Sequence, residues 1–395
     1  MQEQPASVFV SRLRTVAARH HDIEVTDGWL HRPGQLLVSS DAHDDVASAL
    51  SRLKMPVGSE SGQAGTVSIA LPHGVGVHEV VARLEDALGY AGRFGPNHVF
   101  VAAPWLPWGP GGEPRELSAL SWSMSDSSDG EGVQVGIVDT GLLPEFREQA
   151  WLGDVHADPD DFETKDVDEN GYLDPIVGHG TFIAGVVRRW APRASITIDK
   201  ALSVDGLCDE ITLAAAIDQA LDRNPDILSL SLGAYTRGDQ PPIGLEAAWK
   251  RIKEQQPHCV VVSAAGNDGI NRQFWPAATE TVIGVGAVDS NKNRADFSNH
   301  GPWVDVWAEG VDIESAFADG SYLPADSSGP RSFSGICQWS GTSFATPLAG
   351  AAIASRMSRD AVSAPQAYAR VHADAQQVAG VGRVVSMQPE SAPAY

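Results

Sequence analysis

The sequence predicts an α/β protein: a doubly wound, mostly parallel sheet with helices on both faces, preceded by a small split βαβ domain. Continuous apolar runs after residue 132, namely VQVGIVD, ASITIDKAL, DILSLSLG, HCVVVSAAG and TVIGVGAVD, have the pattern of parallel strands covered on both sides. Helix-compatible stretches such as CDEITLAAAIDQALDRN and IGLEAAWKRIKEQQ lie between them, the alternation expected of a doubly wound fold. Residues 1–104 repeat the alternation on a smaller scale.

Within that first unit, QLLVSS (Gln35–Ser40) is expected as a strand and DDVASALSRL as a helix with apolar residues at helical spacing. TVSIALP (Thr66–Pro72) is a second strand, VHEVVARLEDAL a second amphipathic helix, and HVFVAAP (His98–Pro104) a closing strand. Residues 105–132 are rich in Pro and Gly, then in Ser, and are expected to form an exposed linker. Its tryptophans, Trp105, Trp108 and Trp122, predict that parts of it pack. Residues 133–395 form the larger domain.

Composition limits the function classes. With 395 residues, 43% hydrophobic and 20% charged, the chain has material for a sizeable core. Its 51 acidic against 28 basic residues give a net charge of -23, a field that repels nucleic acid and anionic lipid, so neither is an expected partner. Cys208, Cys259 and Cys337 have the spacing of neither a disulfide framework nor a zinc site, and are expected as buried free thiols. The N-terminus MQEQPASVFVSRLRTV lacks an apolar signal core, and no run reaches the roughly 18 residues of a membrane span; the expected location is the cytoplasm.

Four segments carry chemistry. GIVDTG places Asp139 where an apolar strand stops, able to orient an imidazole, although a strand-ending Asp-Thr-Gly also occurs in aspartic proteases and phosphotransferases. GHGTFIAGVV opens a helix with His179 between two glycines, and Thr181 is expected to cap the turn; alone, a satisfied loop histidine fits as well. VVVSAAGND puts Asn267 after a buried strand, either a turn residue or a side-chain donor for an oxyanion. SGTSFATPLAGA puts Ser343 near a helix start with Pro347 in the first turn, so that local N–H groups favour negative charge on an attacked carbonyl; an N-capping serine is the alternative.

In this order and spacing, GIVDTG, GHGTFIAG, SLSLG, SAAGN and GTSFATP resemble the subtilisin-like serine peptidases. The resemblance runs from about Val133 to Met357. It implies a serine endopeptidase in which Ser343 is the nucleophile, His179 the base and then acid, and Asp139 the orienting carboxylate; the lack of a recognisable signal core or membrane span makes a processing peptidase the expected kind. Asn267 and the Ser343 N–H would hold the oxyanion. Ser231, Leu232 and Gly233 match the edge strand that pairs with a peptide or protein substrate, and Ala264, Ala265 and Gly266 the opposite wall of its pocket. No cofactor is implied for the chemistry.

Residues 1–104 look like the family's inhibitory propeptide, making the chain's own N-terminal domain an intramolecular partner, with self-cleavage expected between about Ala102 and Gly130; a permanent accessory domain is the alternative. Asp166, Asp168, Asn170, Gly171 and Asp174 follow the start of an EF-hand loop, but Val177 stands where that loop needs its glutamate, leaving a structural calcium site and a solvated acidic loop both open. A silent peptide-binding pseudo-protease, and a ligase or cyclase using the same triad, are the alternative functions.

Overall fold

The computed structural model describes residues 6–55, 57–63, 65–102, 112–148, 151–324 and 328–387. The N-terminal unit runs α1 (Ala6–Arg19), β1 (Glu24–Thr26), β2 (Trp29–Ser39), α2 (His43–Arg52), β3 (Glu60–Gln63), β4 (Thr66–Ala70), α3 (Val77–Leu88) and β5 (Phe94–Ala102). Its antiparallel sheet has the order β5-β2-β4-β3, with β1 on β2. Val46, Ala49 and Leu50 of α2 and Val77, Val80, Val81 and Leu84 of α3 lie on the apolar stripes of their helices, and bury them on Leu36, Val38, Ile69 and Phe94. Strand β2 starts earlier than the expected Gln35, at Trp29, and shifts register between His31 and Leu36, where Pro33 and Gly34 break the ladder.

Strand β6 (Arg115–Glu116) lies inside the segment expected to be an exposed linker, paired with a later strand. Trp122 of the same segment packs edge-on against Trp151 at 5.7 Å and beneath the Arg189 guanidinium at 4.9 Å, so this part of it is docked. Trp105 and Trp108 fall outside the described residues, as do Ala103 and Pro104 of the closing strand.

The larger domain continues with β7 (Gln134–Asp139), α4 (His179–Trp190), β8 (Ser195–Lys200), β9 (Leu207–Asp209), α5 (Glu210–Asp222), β10 (Ile227–Leu230), β11 (Leu232–Gly233), α6 (Glu246–Gln255), β12 (Val260–Ala264) and β13 (Val282–Val288). It ends with β14 (Val306–Glu309), β15 (Ile313–Ala316), β16 (Gly320–Tyr322), β17 (Arg331–Phe333), β18 (Ile336–Trp339), α7 (Thr342–Asp360), α8 (Ala364–Asp374), β19 (Gln376–Val378) and β20 (Gly382–Val384). Eight strands form the main sheet in the order β19-β20-β14-β13-β12-β10-β7-β8, parallel except for the β19–β20 edge. All five expected strands are in it, and helices cover both faces. Most buried apolar residues of this sheet and of α4, α5 and α7 form one continuous core, with Val288, Trp307 and Val384 in a small satellite cluster. The three cysteines are free and buried. No helix among the described residues is long and apolar enough to cross a membrane.

Two strand pairings join the two units among the described residues. Strand β5 lies between β9 and β11, with Phe100 opposite Cys208, Val101 opposite both Leu207 and Gly233, and Ala102 opposite Leu232. Helix α1, which the sequence reading did not pick out, sends Leu13 and Val16 into a cluster with Trp29, Val99, Leu207, Tyr235 and Phe274, packing across the same junction.

Candidate active site

The elements that carry the candidate residues converge at the carboxyl ends of the inner strands β7, β10 and β12 of the main sheet. Asp139 is the last residue of β7 and is fully buried. Its Oδ1 accepts two hydrogen bonds, from Thr140 N at 2.8 Å and from His179 Nδ1 at 2.6 Å. His179 is the first residue of α4 and is also fully buried. Glycine permits the approach: a Cβ on Gly180 would stand 2.4 Å from the Gly141 carbonyl oxygen, and one on Gly141 would stand 2.3 Å from that of Asp161. The small residues around the Asp and His are thus what lets strand end and helix start touch.

Thr181 does not cap this helix, contrary to expectation. The N-cap is Gly178, without a side-chain cap, and Thr181 Oγ1 instead accepts from Leu143 N at 2.9 Å. The Gly178 N–H goes to the Glu163 carboxylate, at 3.0 and 3.3 Å from its two oxygens. Burial pushes the Glu163 carboxyl up to about 8, helped by the charge of Asp139 and opposed by hydrogen bonds from Thr140 and Gly178 and by Lys200. Sequence reasoning missed this residue, since no spacing rule connects a glutamate in an acidic loop to the histidine turn.

Ser343 is the second residue of α7 and is fully buried. Its Oγ donates to the Ser231 carbonyl at 3.1 Å, and its own carbonyl accepts from Ser231 Oγ at 2.8 Å. The second bond has a covalent cause. Pro347 lies in the second turn of α7, not the first as expected, and its missing N–H frees the carbonyl four residues back, which is that of Ser343. Ser231, between β10 and β11, satisfies it. The His179 Nε2 is buried and has no hydrogen-bond partner among the described residues.

Asn267 follows β12 through Ala265 and Gly266. Its Oδ1 accepts from Thr342 N at 2.9 Å, which fixes the amide, and its buried Nδ2 has no partner among the described residues. Gly266 has φ +95° and donates to Thr342 Oγ1 at 3.2 Å; a Cβ there would meet Asn299 Nδ2 at 2.4 Å. Asn299, another residue the sequence reading passed over, holds this loop from behind: it donates to Ala265 O at 2.9 Å and accepts from Asp268 N at 3.0 Å. Ala264 closes β12, and Leu232 and Gly233 form β11.

The N-terminal unit makes further contacts with the larger domain. Beside the β5 pairing, Arg237 makes a two-pronged contact with Glu85 at 2.6 and 2.8 Å, and Arg272 donates to the Gly28 carbonyl at 2.7 Å. Arg32 reaches Asp209 at 3.1 Å, and His98 lies against the buried Glu210 carboxylate, whose other oxygen accepts from Gly244 N at 2.7 Å.

The acidic loop is satisfied internally. Asp166 accepts from Asn170 N and Gly171 N at 3.0 and 2.8 Å, Asp168 from the Asn170 amide at 2.9 Å, and Asp174 from Val167 N at 2.9 Å. Among the described residues, no group of three or more His, Cys, Asp or Glu is arranged to hold a metal ion.

Residues 130–379 match the model of the subtilase family. The chain is 31% identical over 312 residues to a thermophilic serine proteinase of Bacillus sp. strain AK1, a match covering 73% of this chain and 68% of that one. It is 30% identical to thermitase of Thermoactinomyces vulgaris, over 68% of this chain and 89% of that one. Among solved structures it resembles fervidolysin of Fervidobacterium pennivorans, with a TM-score of 0.63 at 19% identity, over 92% of this chain and 61% of that one. That likeness is one of fold, and its extent takes in most of the N-terminal unit.

Proposed function

The chain belongs to the subtilase family of serine peptidases, and we propose that it hydrolyses peptide bonds through an acyl-enzyme on Ser343. The supporting observation is the buried Asp139–His179 bond of 2.6 Å, the imidazole Nε2 being without a partner among the described residues. Asp139 accepts a hydrogen bond from Nδ1–H and so fixes the tautomer in which Nε2 is a base. The Ser343 hydroxyl turns from the Ser231 carbonyl to Nε2, gives up its proton and attacks the substrate carbonyl. The Asn267 Nδ2 and the Ser343 N–H, at the positive end of α7, receive the oxyanion. His179 then protonates the leaving amine, and water resolves the ester by the reverse route.

Substrate binds as an added strand against Ser231, Leu232 and Gly233, with Ala264, Ala265 and Gly266 walling the pocket opposite. The β5 pairing supports the second half of the proposal, that residues 1–104 are an intramolecular inhibitor occupying this edge. Residues 105–132 would be the linker in which self-cleavage falls, and 133–395 the peptidase, suited to a processing role. The chemistry calls for no cofactor. In the acidic loop a structural calcium and a solvated turn both remain readings, since carboxylates that accept N–H groups keep lone pairs for a cation.

Mass spectrometry of a defined peptide tests the function. Hydrolytic fragments, absent with Ser343→Ala, are expected. Joined or cyclised products would favour the ligase, and an uncut peptide held by the chain the pseudo-protease.

A further inference from the structure

A carboxyl lies beneath the His179 turn that the hydrolytic steps do not use. Glu163 follows the short turn Pro159–Asp161 and is buried. Both its carboxylate oxygens lie within reach of Gly178 N, at 3.0 and 3.3 Å. It also takes a hydrogen bond from the Thr140 hydroxyl, and Thr140 Oγ1 accepts from Gly180 N at 2.9 Å. Its own N–H donates to Leu142 O at 3.0 Å. The residue therefore touches the segment just after Asp139 and the residue just before His179. Helix α4 has no capping side chain of its own, and a carboxylate at that end also suits the helix dipole.

The charged and titratable groups around Glu163 come from four segments. Asp139 stands at the end of β7, His179 at the start of α4, and Lys200 at the end of β8, its Nζ donating to Phe162 O at 3.4 Å. Asp161, in Glu163's own segment, is held by Lys200 N at 2.8 Å and Gln219 Nε2 at 3.3 Å. Two buried carboxyls, Asp139 and Glu163, thus share one region, and the charge of Asp139 disfavours charge on Glu163.

On the triad roles proposed above, we propose that Glu163 is a positioning residue for the reaction. Its carboxyl clamps the strand end bearing Asp139 to the turn bearing His179, and its charge, when present, favours the imidazolium that forms as Ser343 loses its proton. Since burial holds the carboxyl up to about 8, the clamp is neutral at pH 7 and anionic in alkali.

The test is kcat and KM for peptide hydrolysis by the full chain, between about pH 6 and 10, for the wild type, Glu163→Gln and Glu163→Ala. Glutamine keeps the acceptors and lacks the charge; alanine lacks both. The wild-type kcat should climb about three- to tenfold through pH 8. E163Q should lack that step with KM nearly unmoved, and E163A should have a lower kcat at every pH. A step retained in E163Q, or an effect of E163A on KM alone, would overturn the proposal. If no chain hydrolyses peptide even after residues 1–104 are lost, the triad roles fail, and Glu163 is judged separately by proton NMR of the Ser343→Ala chain. The imidazole proton shared with Asp139 should then shift through about pH 8, and should cease to do so once E163Q is added. The same titration in both chains would refute the coupling.

Discussion

Glu163 should leave a signature in stability as well as in rate. In the unfolded chain its carboxyl ionises near the ordinary 4.5, and in the fold it holds its proton up to about 8. Between those values the folded form binds a proton that the unfolded form has released, so stability must fall as pH rises through the window. Below 4.5 both forms are protonated and the full contribution is present; above about 8 both are ionised and it is gone. At 1.36 kcal/mol for each pH unit, the interval of about 3.5 is worth roughly 4–5 kcal/mol. Glu163→Gln has no such proton. The assay is urea unfolding from pH 5 to 9 of two chains, Ser343→Ala and Ser343→Ala with E163Q, the serine replaced to prevent self-digestion. Other titrating groups cancel in the difference. The Glu163 chain should lose roughly 4 kcal/mol relative to its E163Q partner across the range, with the loss complete by about pH 8. Parallel profiles would refute the reasoning. A Glu163 ionised throughout and paired with Lys200 would give that result, because above pH 5 it binds no more protons folded than unfolded.

Asn267→Ala should lower kcat about a hundred- to a thousandfold with little change in KM, the cost known for this donor in a subtilisin, read by steady-state peptide hydrolysis. Glu85→Ala removes the partner of Arg237, a pair about a quarter exposed on each side; at about 1 kcal/mol it should speed release of the N-terminal unit roughly fivefold, timed as the onset of activity. Ser343→Ala should stay full length on incubation where the wild type shortens within residues 102–130, as intact mass will report. If the Asp166–Asp174 loop is held by its own hydrogen bonds, the melting temperature should be the same in millimolar calcium as in chelator; a higher value in calcium would mark a structural site there.

What could be read from the sequence, and what could not, divides along a physical line. Asp139, His179, Ser343 and Asn267 stood out because their neighbours must be small. Gly141, Gly180 and Gly266 are fixed by backbone approaches that a Cβ would block, and such constraints leave a local mark in the sequence. The parallel strands were legible as continuous apolar runs, because burial on both faces removes alternation. Glu163 and Asn299 left no such mark. Each is a polar residue satisfied by backbone groups of another segment, a pairing that only the folded chain creates. The Ser231–Ser343 bond was hidden for a related reason: the proline that creates the need lies on one element and the hydroxyl that meets it on another. Helix α1 was passed over although Leu13, Val16 and Ala17 share a helical face, because its partners across the junction could not be foreseen.

The central claim is that Ser343 is an activated nucleophile, and fluorophosphonate labelling read by intact mass tests it most directly. The wild type should gain one adduct, with Ser343→Ala gaining none, and the adduct should build up as the N-terminal unit is lost. Equal labelling of both chains, or none on wild type from which residues 1–104 have been displaced, would contradict the account.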